Sequence, residues 1–431
     1  MTRIGVPRRI GAVGVATAAL ALAGCSTILA VRGQQERARA NAIVSGTVEM
    51  DGAAHGSLIV GLVARDATGS YFLVDHFVAE RPGPWIFAVA PGTYWLAAFE
   101  DANGDGRYDD EPALVPDPAH PLVLTEGERR NGVALRIPRD GRFRRGPFSL
   151  EDLRPRDPID QERVSLFARS VAGTVTSLDD PRFAPEIARE GMWQYYDFLL
   201  DTEPGIYFLE PWDPKKIPVL FVHGIEGTPR SFAPLVAALD HERFQAWVAY
   251  YPSGAALDGL ATWMTQLFVR LRVEYGFDRA AVVAHSMGGL VTRGFLLEDW
   301  ETNGTKSVRT YVTISSPLGG MASAGAGVER SPVVVHSWRG LAPGSAYLDG
   351  LFYRGDVARG DRRRLPAHMA YHMLFGFRGA SSDGVVAIAS QLRPEAQEEA
   401  RSLRGFDDTH VGILSDPAAI ARVNEILADL H

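Results

Sequence analysis

Ser286 stands in Ala284-His285-Ser286-Met287-Gly288-Gly289, among the small residues that a strained turn needs. The apolar stretch Ala280–Ala284 precedes it and an amphipathic stretch, Met287–Glu298, follows. A serine at a tight strand-to-helix turn has its Oγ exposed, provided the neighbouring backbones can approach closely. Alanine at 284, where the G-x-S-x-G pattern has glycine, is small enough for this. A serine hydroxyl alone is a weak nucleophile; it needs a base, and the base needs an orienting carboxylate. The chain offers Asp383 in Ser381-Ser-Asp383-Gly384-Val385-Val386, after the apolar run Tyr371–Phe377. It then offers His410 in Phe406-Asp407-Asp408-Thr409-His410-Val411-Gly412. Asp407 and Asp408 are alternative acids, less favoured because they lie so close to His410 in sequence.

The elements that would position these residues alternate in type from Ile217 onward. Strands are expected at Ile217–His223, Phe244–Tyr250, Ala280–Ala284 and Val308–Ile314. Helices are expected at Pro229–Leu239, with Thr228 as N-cap, and at Leu257–Tyr275, Met287–Glu298 and Pro417–Leu430. Such alternation implies a mostly parallel sheet with helices on both faces. Asp258 and Asp299 read as solvated charges at helix ends.

Residues 212–431 resemble an α/β-hydrolase of the lipase and PGAP1-like serine esterase group. Four landmarks stand in the group's order: Val222-His223-Gly224-Ile225-Glu226-Gly227, the serine turn, the Asp383 loop, and His410. The resemblance implies that Ser286, Asp383 and His410 form a catalytic triad. It implies that the backbone N–H groups of Ile225 and Met287 form the oxyanion hole. His223 would then be structural, and His285 would point away from the reaction. His336, His368 and His372 fall between serine and aspartate, the wrong order for this fold. Ser316-Pro317 replaces the usual Thr-Pro after the next strand, and Ala284 replaces glycine; neither removes a catalytic atom. Residues 318–366 are expected to cover the site as a lid, or else to carry an ordinary crossover.

Ahead of this domain, residues 43–138 show short alternating runs separated by turn residues, the pattern of a small all-β sandwich. Pro91-Gly92-Thr93-Tyr94 resembles the prealbumin-like modules beside many secreted bacterial enzymes. Asp101, Asn103, Asp105, Arg107 and Asp109 occupy alternate positions around a glycine turn, as in a Ca²⁺ loop. The glutamate expected to close such a loop comes one place early, at Glu111, with Pro112 after it. A solvated acidic hairpin turn is the other reading, and no metal is required for the chemistry at Ser286. Residues 139–211 read as a linker and an approach segment.

The N-terminus has the form of an export signal. Arg3, Arg8 and Arg9 precede the uncharged stretch Gly11–Ala23, and Leu22-Ala23-Gly24-Cys25 resembles a bacterial lipobox. Cys25, the chain's only cysteine, would be acylated and become the mature N-terminus, with residues 25–42 as a polar tether. Two or three acyl chains hold a protein on a bilayer without basic residues. Losing residues 1–24 takes the net charge from −8 to −11, because they carry three arginines and no acid. Ser26, where an aspartate would favour inner-membrane retention, implies the outer membrane of the cell envelope; the facing side is not set.

With 46% hydrophobic and 22% charged residues, the chain has ample material for a core and is not intrinsically disordered. The acidic balance and the lack of basic runs argue against nucleic acid as a partner. A single cysteine excludes an intrachain disulfide and a cysteine-rich metal site. The expected function is a membrane-anchored serine hydrolase of carboxylic esters, lipid acyl esters foremost. The alternatives are a non-catalytic binding lipoprotein, or an acyltransferase or amidase using the same triad.

Overall fold

A computed structural model describes residues 28–67, 69–143, 169–355, 357–379 and 381–430. The signal-like stretch, Cys25 and most of the Arg/Asp/Pro-rich segment after residue 138 lie outside the described residues.

The N-terminal unit contains β1 (Ala42–Met50), β2 (Ser57–Arg65), β3 (Tyr71–Ala79), β4 (Gly83–Val89), β5 (Gly92–Asp101), β6 (Ala113–Leu114), β7 (Leu122–Leu124) and β8 (Arg129–Ile137). One sheet has the order β4-β1-β8, the other β3-β2-β5-β6 with β7 on β5. Their inner faces share a core that includes Val44, Val48, Trp85 and Phe87 from the first sheet and Val60, Leu62, Val74 and Ala98 from the second. Strand β2 is buried at eight successive positions, so its alternation is lost. The reason is long-range: Ile59, Val78, Ala97 and Phe99 pack against Val269 of the Leu257–Tyr275 helix, which covers the outer face.

The C-terminal unit is built on one eight-stranded sheet. Its strands are β9 (Val171–Val175), β10 (Gly205–Phe208), β11 (Ile217–Val222), β12 (Phe244–Tyr250), β13 (Ala280–His285), β14 (Val308–Ile314), β15 (Ala370–Gly376) and β16 (Ser402–Phe406). The order is β16-β15-β14-β13-β11-β12-β10-β9. Strands β11 to β16 run parallel, while β10 joins β12 antiparallel and β9 joins β10 parallel. In β13, Ala280, Val282 and Ala284 face a cluster formed with the helices Leu257–Tyr275 and Met287–Asn303. Ala281 and Val283 face the opposite cluster, which includes Leu235, Val423 and Ile426. A strand buried on both faces reads as a continuous apolar run, which is how Ala280–Ala284 reads.

Several expectations need correction. Residues 28–40, read as tether, are helical; Val31 and Gln34 are buried and Arg37 pairs with Asp197. The segment read as linker and approach supplies β9, β10 and the helices Pro185–Trp193 and Tyr195–Asp201, so the large sheet begins at Val171 rather than near 212. Within residues 318–366, Leu341, Leu348, Leu351 and Phe352 lie in the core of the sheet's first face. Thr228 stands at the N-cap of a 3₁₀ turn, Pro229–Phe232, ahead of the short helix Ala233–Ala237, but its Oγ1 donates to Phe183 O and makes no cap bond. Asp299 is not solvated: it is 4% exposed and paired with Arg272.

Candidate active site

Strand β13 ends at His285 and a helix starts at Met287, which leaves Ser286 as a one-residue turn. Its backbone has φ 54° and ψ −131°, a conformation that non-glycine residues rarely adopt and that surrounding contacts must hold. Ser286 N donates to Ile314 O at 2.9 Å, and Gly289 N donates to Ser286 O at 3.0 Å. Close approach explains the small neighbours. A Cβ on Gly288 would lie 2.4 Å from His223 O and 2.5 Å from Val222 O, and a Cβ on Gly224 would lie 2.7 Å from Ser286 Cβ. The loop after β11 is thus pressed against Ser286.

His410 Nε2 lies 2.9 Å from Ser286 Oγ, and His410 Nδ1 lies 2.7 Å from Asp383 Oδ2. A carboxylate only accepts, so it fixes the proton on Nδ1 and leaves Nε2 free to accept from the serine. Asp383 Oδ1 accepts from the N–H groups of Val385 and Val386 at 2.9 and 2.7 Å. Asp383 is 1% exposed. Burial raises its pKa, but the bonds from His410, Val386 and Val385 overcome that, so the carboxyl titrates below its ordinary value. The other candidate acids do not reach the base. Asp407 is exposed and faces Arg378 at 3.8 Å, and Asp408 Oδ1 accepts from Thr409 N at 2.6 Å.

The remaining histidines have other partners. His223 is buried, stacked on Tyr251 at 4.2 Å, with Nδ1 2.9 Å from Gly224 O; burial lowers its pKa to about 4 and keeps it neutral. His285 Nε2 donates to His410 O at 2.8 Å, a bond that holds His410 in place and that no sequence signal announced. Burial, then the neighbouring His410, lower the pKa of His285 to about 3. His336 rests on Tyr195, His368 on Trp300, and His372 Nδ1 meets Ser402 Oγ.

The turn Gly224–Gly227 is closed by Gly227 N donating to Gly224 O, and Glu226 N donates to Ser253 Oγ. Ser253 had no signal in the sequence. The amides of Ile225 and Met287 have no acceptor among the described residues. Free N–H groups on the loop beside Ser286 and at the first turn of its helix are suited to a developing oxyanion. Val385 and Val411, each within two residues of Asp383 or His410 in the chain, are exposed at 54% and 63%.

The acidic loop turns inward on itself. Asp101 accepts from Gly104 N and Gly106 N, Asn103 Oδ1 from Asp105 N, Asp105 Oδ1 from Arg107 N, and Glu111 from Asp109 N. Among the described residues no three His, Cys, Asp or Glu side chains are grouped to hold a metal ion. The oxygens of Asp101, Asn103 and Asp105 thus hold the turn. An open cleft of about 530 Å³ lies at the seam of the two units, lined by His55, Glu80, Arg81, Asp101 and Val273; it includes none of Ser286, Asp383 and His410.

Residues 253–335 match the model of a family described as an alpha/beta hydrolase of unknown function (DUF915). No curated protein matches the chain. Similar solved structures include the mature form of Bacillus licheniformis lipase BlEst2, at 14% identity and a TM-score of 0.42, covering 51% of this chain and 97% of that one. Phospholipase PlaB from Legionella pneumophila is 15% identical, with a TM-score of 0.38, over 49% of this chain and 59% of that one. Aspergillus fumigatus lipase B is 17% identical, with a TM-score of 0.38, over 52% of this chain and 56% of that one. The sheet order, the strained turn after β13 and the family match give the C-terminal unit the α/β-hydrolase fold.

Proposed function

We propose that this chain is a membrane-anchored serine hydrolase that cleaves carboxylic esters, lipid acyl esters in particular. The observation that carries the reading is the continuous Ser286 Oγ–His410 Nε2 and His410 Nδ1–Asp383 Oδ2 relay, at 2.9 and 2.7 Å. His410 removes the Ser286 proton as Oγ attacks the ester carbonyl. The carbonyl oxygen gains charge within reach of the Ile225 and Met287 N–H groups. His410 then returns the proton to the leaving alkoxide, and an acyl-serine remains. Water, deprotonated by His410, attacks the acyl-serine; the acid is released and Ser286 recovers its proton. Asp383 stays ionised throughout and stabilises the imidazolium. Exposed Val385 and Val411, near Asp383 and His410 in the chain, support an apolar acyl group as substrate. The Leu22–Cys25 motif supports an acyl anchor on Cys25, and Ser26 supports the outer membrane of a bacterial envelope.

The test is turnover of a p-nitrophenyl ester series and of phospholipid vesicles by wild type, Ser286→Ala and Cys25→Ala. The reading expects no turnover by Ser286→Ala. It expects membrane loss, with soluble-ester turnover kept, in Cys25→Ala. Equal turnover by wild type and Ser286→Ala would contradict it.

A further inference from the structure

We propose that Gln391 is the positioning residue for the acid of this relay, an inference that rests on the ester-hydrolase reading. Gln391 ends the short helix Ile388–Gln391 and is 2% exposed. Its Oε1 accepts from Gly376 N at 3.1 Å. Its Nε2 donates toward Gly376 O at 3.0 Å, Val386 O at 3.1 Å and Asp383 Oδ2 at 3.3 Å. Two N–H bonds face three acceptors, so one bond is shared. The reverse orientation of the amide would set its oxygen against two carbonyls and a carboxylate, so the network fixes which atom is which.

These contacts tie the end of β15 to both ends of the acid turn. They also complete the shell of a buried carboxylate. Asp383 Oδ1 has the amides of Val385 and Val386; Asp383 Oδ2 has His410 Nδ1 on one side and Gln391 Nε2 on another. A carboxylate withdrawn from water stays ionised only when such donors replace the water. Gln391 therefore sets both the place of Oδ2 and how strongly Oδ2 attracts the His410 proton. Space beside it is tight, since a Cβ on Gly376 would lie 3.1 Å from Asp383 Cβ. Gly376 N is shared with Ser315 Oγ at 3.2 Å, and the carboxamide adds an acceptor for it while donating toward Gly376 O and Asp383.

The sign of the effect follows from charge. Loss of the Gln391 donor makes the Asp383 carboxylate a stronger partner for the imidazolium. The acid limb of kcat/KM then moves to higher pH. In Gln391→Met, kcat is expected to fall about 10–100-fold, the scale of a slightly misplaced catalytic group, with KM nearly unchanged. Gln391→Glu keeps an acceptor for Gly376 N; set against Gly376 O, Val386 O and Asp383, its carboxyl keeps its proton and offers one O–H donor, so its limb and kcat lie between those of wild type and Gln391→Met. Val423→Ala, in the closing helix, serves as a control that lowers stability and leaves the limb in place.

The experiment is a pH profile of kcat and KM for all four proteins on a soluble ester, with thermal midpoints measured alongside. An upward shift ordered wild type, then Glu, then Met supports the proposal. Active wild type with an unmoved limb and unchanged kcat in both Gln391 variants overturns it, as does a fall in kcat that merely tracks the thermal midpoint. If Gln391→Met does not fold, the Gln391→Glu limb decides alone. Wild type inert toward every ester would overturn the ester-hydrolase reading instead, and that outcome is visible before any variant is compared.

Discussion

His410 meets Asp383 twice: its backbone N–H donates to the Asp383 carbonyl at 3.0 Å, and its Nδ1 lies 2.7 Å from Asp383 Oδ2. The main-chain bond holds the two loops together whatever the side chains do. Asp383→Asn should therefore fold with its loops in place. An amide can offer its N–H to Nδ1, which favours the tautomer that cannot take the serine proton. We expect kcat on a soluble ester to fall about 10³–10⁴-fold, measured at saturating substrate.

The same carboxylate contributes to stability in a defined direction. Its folded pKa lies below the unfolded value, so its contribution is present above the ordinary value of 3.8 and is lost as pH falls through the lower folded value. Denaturant titrations of wild type between pH 5 and pH 2 should show a loss that Asp383→Asn lacks.

Ser286 is held at φ 54°, where a side chain is strained. Ser286→Gly should end turnover and raise unfolding free energy by about 1 kcal/mol or more. Gly288→Ala should do the reverse to stability, lowering it by about 1–3 kcal/mol, because its Cβ would meet backbone oxygens at 2.4 and 2.5 Å. Chemical denaturation of the two variants checks both signs.

Glu298 accepts a bond from Thr262 Oγ1 and is mostly buried; burial raises its pKa from 4.5 to about 7. An acid with a raised folded pKa binds more protons folded than unfolded. Its contribution is therefore fully present below pH 4.5 and is lost as pH rises through about 7. Glu298→Gln keeps an acceptor for Thr262 and removes the titration. Its stability between pH 5 and 8 should be flatter than that of wild type, read as thermal midpoints in matched buffers.

At the seam between the units, Arg272 pairs with Asp299 at 2.8 Å on its own side and with Glu80, the residue after β3, across the interface at 2.8 Å. Arg272→Met would leave Asp299 buried without its cation. We expect a loss of about 3–5 kcal/mol, the usual effect of breaking a buried pair. Relief on replacing Asp299 by Asn in the same chain would tie the loss to the unpaired charge.

The elements legible in the sequence were those whose pattern is local. The strands at Phe244–Tyr250 and Val308–Ile314 and the helix Leu257–Tyr275 have the expected bounds, since period and end signals lie within each segment. What escaped reading depended on distant partners. Asp299 looked like a surface charge because Arg272, 27 residues away, is what buries it. Residues 28–40 looked like tether because their docking partners are Asp197, Tyr196 and Val334. β9 and β10 join the sheet's far edge through β12, a pairing that periodicity does not encode. At the site, residue types and order singled out Ser286, Asp383 and His410. The bonds from His285, Gln391 and Ser253 had no signal, because each is a single polar side chain whose meaning lies in what it touches.

The most direct measurement is the site of a fluorophosphonate adduct. Wild type is treated with the probe in detergent, digested, and the labelled peptide is located by mass. The account expects one adduct per chain, on Ser286, and none on Ser286→Ala. Folded wild type that takes up no probe in detergent, or an adduct on a serine other than Ser286, would contradict it.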